Sequence, residues 1–456
     1  MSLPKIVKDV LEEVPSYSEF MFVNELYESS RKLSSEHGDI VELTEIGYSR
    51  CGLPMQALII HGLSEEKRVL AFGFPHPNEP IGSLTLDFLS WKLARDREFL
   101  KLLNATWVIV KVADVCGALL NEGWFKGVFD IEKYALNYYR PPGYKQVEWS
   151  FPVQYKSFTW DKPTDEAKAL MRLIDEWKPT HIYSLHNAGF TGTYYYVSRP
   201  LEKERMELLK SIPRTLRVPI HRGEPEAPYM EKLDEAIFRM PGIADYYDWL
   251  EKHLKQDPSK VIEHGGSSFD YARRVNPNVF ELVCEVPYIY DYKLDIDLHI
   301  GVPRRDILRI SLEKRKTLVE SLEGDLEKLG GRVSIENPFY EALSYFIRVS
   351  KHNIEATENW IKVNPELSRS ATLAQAFNAY TNVLWTSILL TGLLYRTIGF
   401  EAGKQDISDK LKSMRLDVYR RLKDLIVEFN GLTDYYVVQP KYTVSIQLAS
   451  IITTLL

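Results

Sequence analysis

Three side chains that can bind a zinc ion stand at the ends of two apolar segments of this chain. His76 and Glu79 lie in the stretch His-Pro-Asn-Glu, directly after the apolar run 68–74, and His186 closes a second apolar run. Two imidazoles and a carboxylate form a zinc donor set that leaves one coordination position open for water. An open position is typical of a catalytic zinc site, so convergence of these three groups would predict zinc-assisted hydrolysis.

The first pair must lie in a loop, because prolines precede, separate and follow its members and proline breaks a helix interior. In open α/β sheets, ligands bind at the carboxyl ends of strands, which is where this loop falls. The alternative interpretation of His76 and Glu79 is a turn histidine beside a glutamate that caps the helix starting at Ile81. The next apolar run contains two histidines, His181 and His186, which are five residues apart and therefore point to opposite faces of a strand. Only His186 is at the carboxyl end, although a histidine at a strand end also has a purely structural reading.

A third apolar run, 280–288, contains Glu281 and Glu285, which are four residues apart and face the same side. Burying an unpaired carboxylate is expensive, so each needs a reason. Beside a zinc-bound water, Glu285 would be a general base whose pKa is raised by burial. The alternative is a structural ion pair with Arg273 or Arg274.

These residues are positioned by alternating elements. Apolar patterns predict strands at 41–49, 55–61, 68–74, 107–112, 180–186, 194–198 and 279–286, with helices such as 81–96 between them. Such alternation predicts an α/β domain, assigned to residues 1–301, with a mainly parallel or mixed sheet covered on both faces. Residues 302–456 read instead as an all-helical region, with helices at 304–329, from Pro338 onward, and at 370–397, 407–429 and 444–456. This region has no cluster of metal or acid–base residues, and a cap, an oligomerisation surface and a substrate gate all stay open as its role.

Composition places the chain among ordinary globular proteins, with 45% hydrophobic and 26% charged residues over 456 positions. A net charge of −6 gives no basic footprint for nucleic acid. The longest apolar run, 383–395, is shorter than the ~20 residues of a membrane span. Three distant cysteines, Cys51, Cys116 and Cys284, predict neither a disulfide framework nor a metal knuckle. We therefore expect a reduced, cytoplasmic protein without membrane contact.

Five segments in order resemble the zinc metallocarboxypeptidases of the carboxypeptidase A type, over about residues 14–292: Pro15 to Phe20, the hairpin Ile46 to Pro54, the His76 to Pro80 loop, Tyr183 to Asn187, and the loop Gly265 to Asp270. The resemblance implies a mixed eight-stranded sheet flanked by helices and one Zn²⁺ held by His76, Glu79 and His186. It implies Glu285 as the catalytic glutamate, and hydrolysis of a C-terminal peptide bond or a related amide.

The substrate clamp departs from that family. Its usual adjacent Asn-Arg pair is met by Asn137 followed by Tyr138, and an arginine appears only at Arg140. A guanidinium suits a substrate carboxylate, so Asn137 and Arg140 are the predicted substrate residues, although Arg140 also reads as a surface arginine before a Pro-Pro turn. No arginine stands at the family's oxyanion position, and Lys126 is the nearest cation.

The prediction is thus a zinc metallocarboxypeptidase acting on a peptide or amide substrate with Glu285 as general base. One alternative keeps the same ligands in a zinc amidohydrolase for N-acyl amino acids, cell-wall peptides or glutamyl side chains. Another is a non-catalytic binding protein with a degenerate site, whose helical region contacts a partner or a second copy of the chain.

Overall fold

A computed structural model describes residues 3–64, 66–330, 333–402 and 409–456. The strands are β1 Val41–Tyr48, β2 Pro54–Ile60, β3 Lys67–Phe72, β4 Ala105–Val110, β5 Val153–Tyr155, β6 Phe158–Trp160, β7 His181–Phe190, β8 Tyr194–Val197, β9 Lys232–Asp234, β10 Ile237–Arg239, β11 Phe280–Tyr290, β12 His299–Pro303, β13 Ser370–Thr372 and β14 Tyr436–Val437. The helices are α1 Lys5–Glu13, α2 Val23–Glu36, α3 Ile81–Arg95, α4 Arg97–Leu103, α5 Val115–Leu119, α6 Ile131–Asn137, α7 Asp165–Trp177, α8 Lys203–Thr215, α9 Ile243–His253, α10 Ser268–Val275, α11 Arg304–Leu329, α12 Pro338–Val363, α13 Leu373–Ala402, α14 Asp409–Leu432 and α15 Pro440–Leu455.

Ten of these strands form one mixed sheet in the order β1-β2-β4-β3-β7-β11-β8-β10-β9, with β14 added against β11. The central strands β4, β3, β7 and β11 run parallel to one another. The predicted mixed α/β fold is confirmed, but the count of eight strands is too low for the described chain. The strands β9, β10 and β14 are two or three residues long, too short to show a periodic pattern in the sequence.

The central strands are apolar because both of their faces are covered. Every residue of β4 and of β11 is buried, as expected for parallel strands between two helical layers. The register pairs Glu285 of β11 with His186 of β7. Strands β7 and β11 continue past the carboxyl end of β3, which pairs with β7 up to Ser184. His186 and Glu285 therefore lie within their strands, just beyond the end of β3, where the loop with His76 and Glu79 begins.

The long helices after residue 301 follow local signals. The bounds predicted for α11 are observed, and the Asn337 side chain caps α12 by accepting from the backbone N–H of Phe339 and Tyr340. The predicted start of the next-to-last helix, Ile407, lies outside the described residues. Among the described helices, α13 alone is long and apolar enough to cross a membrane, and 67% of its most apolar window is buried within the protein. That burial is typical of a core helix.

The hydrophobic core does not divide at the predicted boundary after residue 301. Helix α15 is buried along nearly its whole length and packs on α3, α8 and β11. From this helix, Gln447 donates to the carbonyl of His186 and accepts from Thr85 in α3. The C-terminal segment therefore completes one face of the ten-stranded sheet, while α11 to α14 form the helical layer beside it.

The expectation for the cysteines is wrong for two of them. Cys51 and Cys116 form a disulfide, although they are 65 residues apart in sequence. The turn between β1 and β2 lies against α5, a proximity that sequence spacing did not indicate. Cys284 is a free, buried thiol, as predicted.

Candidate metal centre and active site

The three predicted metal ligands converge. His76, Glu79 and His186 each offer an atom within 4.8 Å of the others, and all three side chains are buried. Nδ1 of His186 lies 3.0 Å from Oε2 of Glu79, and the two imidazole rings are 5.0 Å apart. This is the donor set of a zinc site with an open position.

The buried ring nitrogens fit a metal better than they fit the protein alone. Nδ1 of His76 and Nδ1 of His186 have no hydrogen-bond partner, whereas buried polar atoms are normally satisfied. On the far side of its ring, Nε2 of His186 lies 2.9 Å from Oγ of Ser184, the kind of contact that orients a metal-binding imidazole. Burial, with the nearby charge of Arg140, holds the pKa of His76 well below its usual range. The neutral imidazole that results is the form that binds metals.

The loop after β3 is shaped by its neighbours rather than by a helix cap. The backbone N–H of Glu79 donates to the carbonyl of His76, and Oε2 of Glu79 accepts from the N–H of Asn187. The first N–H of α3, that of Ile81, is satisfied by the Asn187 side chain at 3.1 Å. Asn187 therefore takes the capping role that the alternative reading gave to Glu79, whose carboxylate is left facing the histidines.

Glu285 lies beside this donor set. Its Oε1 is 3.5 Å from Nδ1 of His186, and its Oε2 is buried without a hydrogen-bond partner. Burial first, then the nearby carboxylates of Glu79 and Glu226, raise the pKa of Glu285 well above its usual range. The structural alternative finds no support, because Arg273 pairs with Asp270 and Arg274 bonds a backbone carbonyl.

Glu281, four residues before Glu285 on β11, belongs to a separate buried pair of carboxyls. Oγ of Ser268 lies 2.6 Å from a Glu148 oxygen and 2.8 Å from a Glu281 oxygen. One hydroxyl has one proton to donate, so a proton on one of the carboxyls completes the arrangement. Burial raises the pKa of both carboxyls, that of Glu281 well above its usual range, so the two carboxyls share one proton.

The structure separates the predicted substrate residues and cations. Arg140 reaches the site, with Nη1 3.1 Å from Oε1 of Glu79 and Nε 3.2 Å from Oε1 of Gln146. Asn137 does not, since its amide donates to the Lys133 carbonyl within α6. Lys126 is held by Glu25 at 2.6 Å, outside the residues that line the cavity. Among the described residues that line the cavity, Arg140 is therefore the one arginine that a substrate could contact.

The cavity over these groups has a volume of about 370 Å³ and extends well beyond the residues that sequence reasoning identified. One wall comes from β8 and the segment 220–230, and another from α13, through Asn378, Asn382, Trp385, Thr386 and Leu389. A Cβ on Gly189 would meet Trp385 at 2.3 Å, so this glycine lets α13 approach the strand that carries His186. The alternating tyrosines Tyr194 and Tyr196 were the sequence signal for the first wall, and α13 gave none.

The family model described as "Zinc carboxypeptidase" matches residues 26–127. The resemblance to zinc carboxypeptidases predicted from the sequence motifs is confirmed over this part of the chain, which is 102 of its 456 residues. The match contains two of the predicted metal ligands, His76 and Glu79, and ends before His186 and Glu285. His186 and Glu285 are brought together by the register between β7 and β11. A search of curated proteins finds no match to this sequence.

Several solved structures resemble this chain at low sequence identity. Carboxypeptidase A from Helicoverpa armigera is 15% identical, with 62% of this chain and 71% of that chain covered and a TM-score of 0.39. A metallo-carboxypeptidase from Burkholderia cenocepacia is 13% identical, with 58% and 60% covered and a TM-score of 0.34. An aspartoacylase family protein from Mesorhizobium loti is 14% identical, with 54% and 61% covered and a TM-score of 0.30. TM-scores this low carry no argument about substrate.

Proposed function

We propose that the protein is a zinc-dependent hydrolase that cleaves a C-terminal peptide bond, or a closely related amide, with Glu285 as general base. The observation that carries the proposal is the convergence of His76, Glu79 and His186, whose imidazoles present unpartnered Nδ1 atoms. Glu285 stands 3.5 Å from one of those atoms, within reach of a water placed between them.

A zinc ion held by these residues would acidify a bound water and polarise a substrate carbonyl. Glu285 accepts the proton of the attacking water, for which its raised pKa is suited. The same carboxyl then delivers that proton to the nitrogen of the departing amine. The surroundings of Glu285 are buried, and the low dielectric constant there strengthens its interactions with nearby charges.

Arg140 is the group that orients the substrate in this proposal. Its guanidinium lines the cavity beside Glu79 and can donate two parallel hydrogen bonds to a carboxylate. In a C-terminal substrate, Arg140 binds the terminal carboxylate or the carbonyl oxygen on which negative charge develops. Arg140 lies three residues after Asn137 rather than directly after it. This supports a substrate-binding site that differs from the adjacent Asn-Arg pair of the zinc carboxypeptidases.

A zinc amidohydrolase is the second candidate, and the wall formed by α13 favours it. Trp385 and its neighbours on α13 cover the cavity, which leaves less room for a long peptide than for a short acyl compound. The same ligands and base serve both reactions, so substrate length is what separates them.

The test uses purified protein with its metal content measured. Hydrolysis of N-acyl dipeptides is compared with hydrolysis of N-acyl amino acids by following released amines, with and without a zinc chelator. Chelator-sensitive release from the dipeptides supports the carboxypeptidase, and release only from N-acyl amino acids supports the amidohydrolase. Protein that neither carries nor takes up stoichiometric zinc would contradict both and favour a binding protein.

A further inference from the structure

Glu226 lies at the mouth of the cavity and forms no ion pair with any described residue. Its Oε1 accepts a hydrogen bond from the hydroxyl of Tyr194 at 2.6 Å, and its Oε2 accepts one from the hydroxyl of Tyr196 at 2.7 Å. Both tyrosines are buried, while Glu226 is exposed to the cavity. The carboxylate is therefore fixed in direction, and each oxygen keeps a lone pair for a further donor.

The sheet register places this carboxylate close to the reacting centre. Tyr194 of β8 is directly opposite Glu285 of β11, and Tyr196 is opposite Val283. Residues opposite each other in an antiparallel pair share a face of the sheet. Glu226 thus lies about one tyrosine side chain away from the proposed general base, on the side toward β8.

The wall between these two carboxylates is apolar and largely aromatic. Tyr196 and Phe238 lie 5.9 Å apart, ring to ring, and Met230, Met240 and Val283 complete the surface. Such a wall suits an aliphatic stem, and aromatic faces also attract a cation. An apolar channel that ends at an unpaired carboxylate matches a long side chain with a positive tip.

Most carboxylates that line the cavity already have a partner, whereas Glu226 has no cationic one among the described residues. Asp270 is paired with Arg273 and Glu224 with Arg304, and Glu79 belongs to the proposed metal. Among the described lining residues, Arg140 is the one lysine or arginine. Glu226 therefore remains without a cationic partner among the described lining residues.

The loop that carries Glu226 is held on both sides by other elements. The N–H of Glu224 donates to the side chain of Asn378 in α13 at 3.0 Å. The Glu224 carboxylate accepts from Nε of Arg304, at the start of α11, at 2.7 Å. Nε2 of His221 lies 2.9 Å from the Glu224 carbonyl. The position of Glu226 is therefore set before any substrate arrives.

We propose that the cavity selects a substrate whose leaving residue has a cationic side chain, an ammonium or guanidinium group, and that Glu226 binds this cation. The inference rests on the proposed function for the identity of the leaving residue. Arg140 holds the carboxylate of the same residue, so the two groups bind the leaving residue at two points on one side of the scissile bond.

The first test compares N-acyl dipeptides that end in arginine with those that end in citrulline, the neutral isostere. Wild-type protein should favour arginine by roughly 10–100-fold in kcat/KM, as expected for a hydrogen-bonded charge pair, mainly through KM. Glu226→Gln should bring the ratio close to one. Glu231→Gln is the matched control, because Glu231 is on the same loop but pairs with Arg239 and does not line the cavity. An arginine-to-citrulline ratio unchanged by Glu226→Gln would overturn the inference.

The second test does not depend on turnover. Calorimetric titration of free arginine and free citrulline is run on the zinc-loaded Glu285→Gln protein and on the Glu285→Gln, Glu226→Gln double variant. Tighter binding of arginine that disappears in the double variant supports the inference even if no peptide or amide is hydrolysed, in which case only the proposed function fails. Equal binding of the two amino acids overturns the inference, whatever the protein hydrolyses.

Discussion

The two sides of the cavity are built in different ways. On one side, His76 and Glu79 follow the carboxyl end of β3, and His186 and Glu285 are paired neighbours within β7 and β11, where backbone hydrogen bonds fix their spacing. On the other side, Trp385 and Asn378 project from α13, a helix held by side-chain packing against Gly189 and α6. The first side has the residue types for bond cleavage, and the second has the shape that decides what can enter.

This difference indicates how substrate preference can change while the chemistry is retained. The sheet edge is one rigid unit, because β7 and β11 are paired over most of their length. The helical wall touches the reaction centre only through side chains that line the cavity. Changes at the sheet edge should therefore abolish turnover, and changes on α13 should alter the ratio between substrates.

The largest effect is expected from removing a metal ligand. His186→Ala should lose stoichiometric zinc and with it all measurable hydrolysis, because the remaining donors, His76 and Glu79, do not complete the site. His181→Ala is the matched control on the same strand, since the His181 ring contacts Thr180 at the opposite end of β7. Metal analysis and activity are measured on both variants. Zinc retained by His186→Ala at the wild-type level would contradict the assignment.

The next effect separates metal binding from proton transfer. Glu285→Gln keeps the shape of the side chain but cannot accept a proton, so turnover should fall by about 10²–10⁴-fold while zinc content stays at the wild-type level. Initial rates and metal analysis on the same preparation check both parts. If Glu285→Gln turned over substrate at the wild-type rate, the general base would have to be another group.

A smaller effect, on selectivity rather than rate, is expected from the helical wall. Trp385→Ala should open the cavity and raise kcat/KM for acylated tripeptides relative to N-acyl amino acids, by roughly the 10-fold that one well-placed apolar contact discriminates. Ile388→Ala, on the same helix and fully buried but outside the cavity, controls for loss of stability. The two substrate ratios should differ between these variants. Equal ratios would show that α13 does not gate the substrate.

Sequence reasoning found the side of the site that depends on local patterns. His186 and Glu285 could be recognised because each lies late in an apolar run that predicts a parallel strand, although β7 and β11 extend four and five residues further. Arg304 and Pro338 begin helices whose signals are equally local. Glu226 was not recognised, because its role depends on two tyrosines more than 25 residues away that donate to its carboxylate. Trp385 was missed for the same physical reason, since tertiary packing against Gly189 brings it into the cavity wall.

The disulfide gives the smallest expected effect on catalysis and a clear one on stability. Closing a loop between Cys51 and Cys116 restricts the unfolded chain, so the paired Cys51→Ser and Cys116→Ser variant should lose about 2–4 kcal/mol of unfolding free energy. Denaturant unfolding with and without reductant measures this loss. Zinc content should be unchanged, because neither sulfur is a proposed ligand.

Disulfides persist mainly in oxidising compartments, whereas the cytoplasmic location predicted above implies reduced thiols. Reductant that leaves the wild-type unfolding curve unaltered would show that the thiols are free in solution, which favours the cytoplasmic prediction over an oxidising compartment.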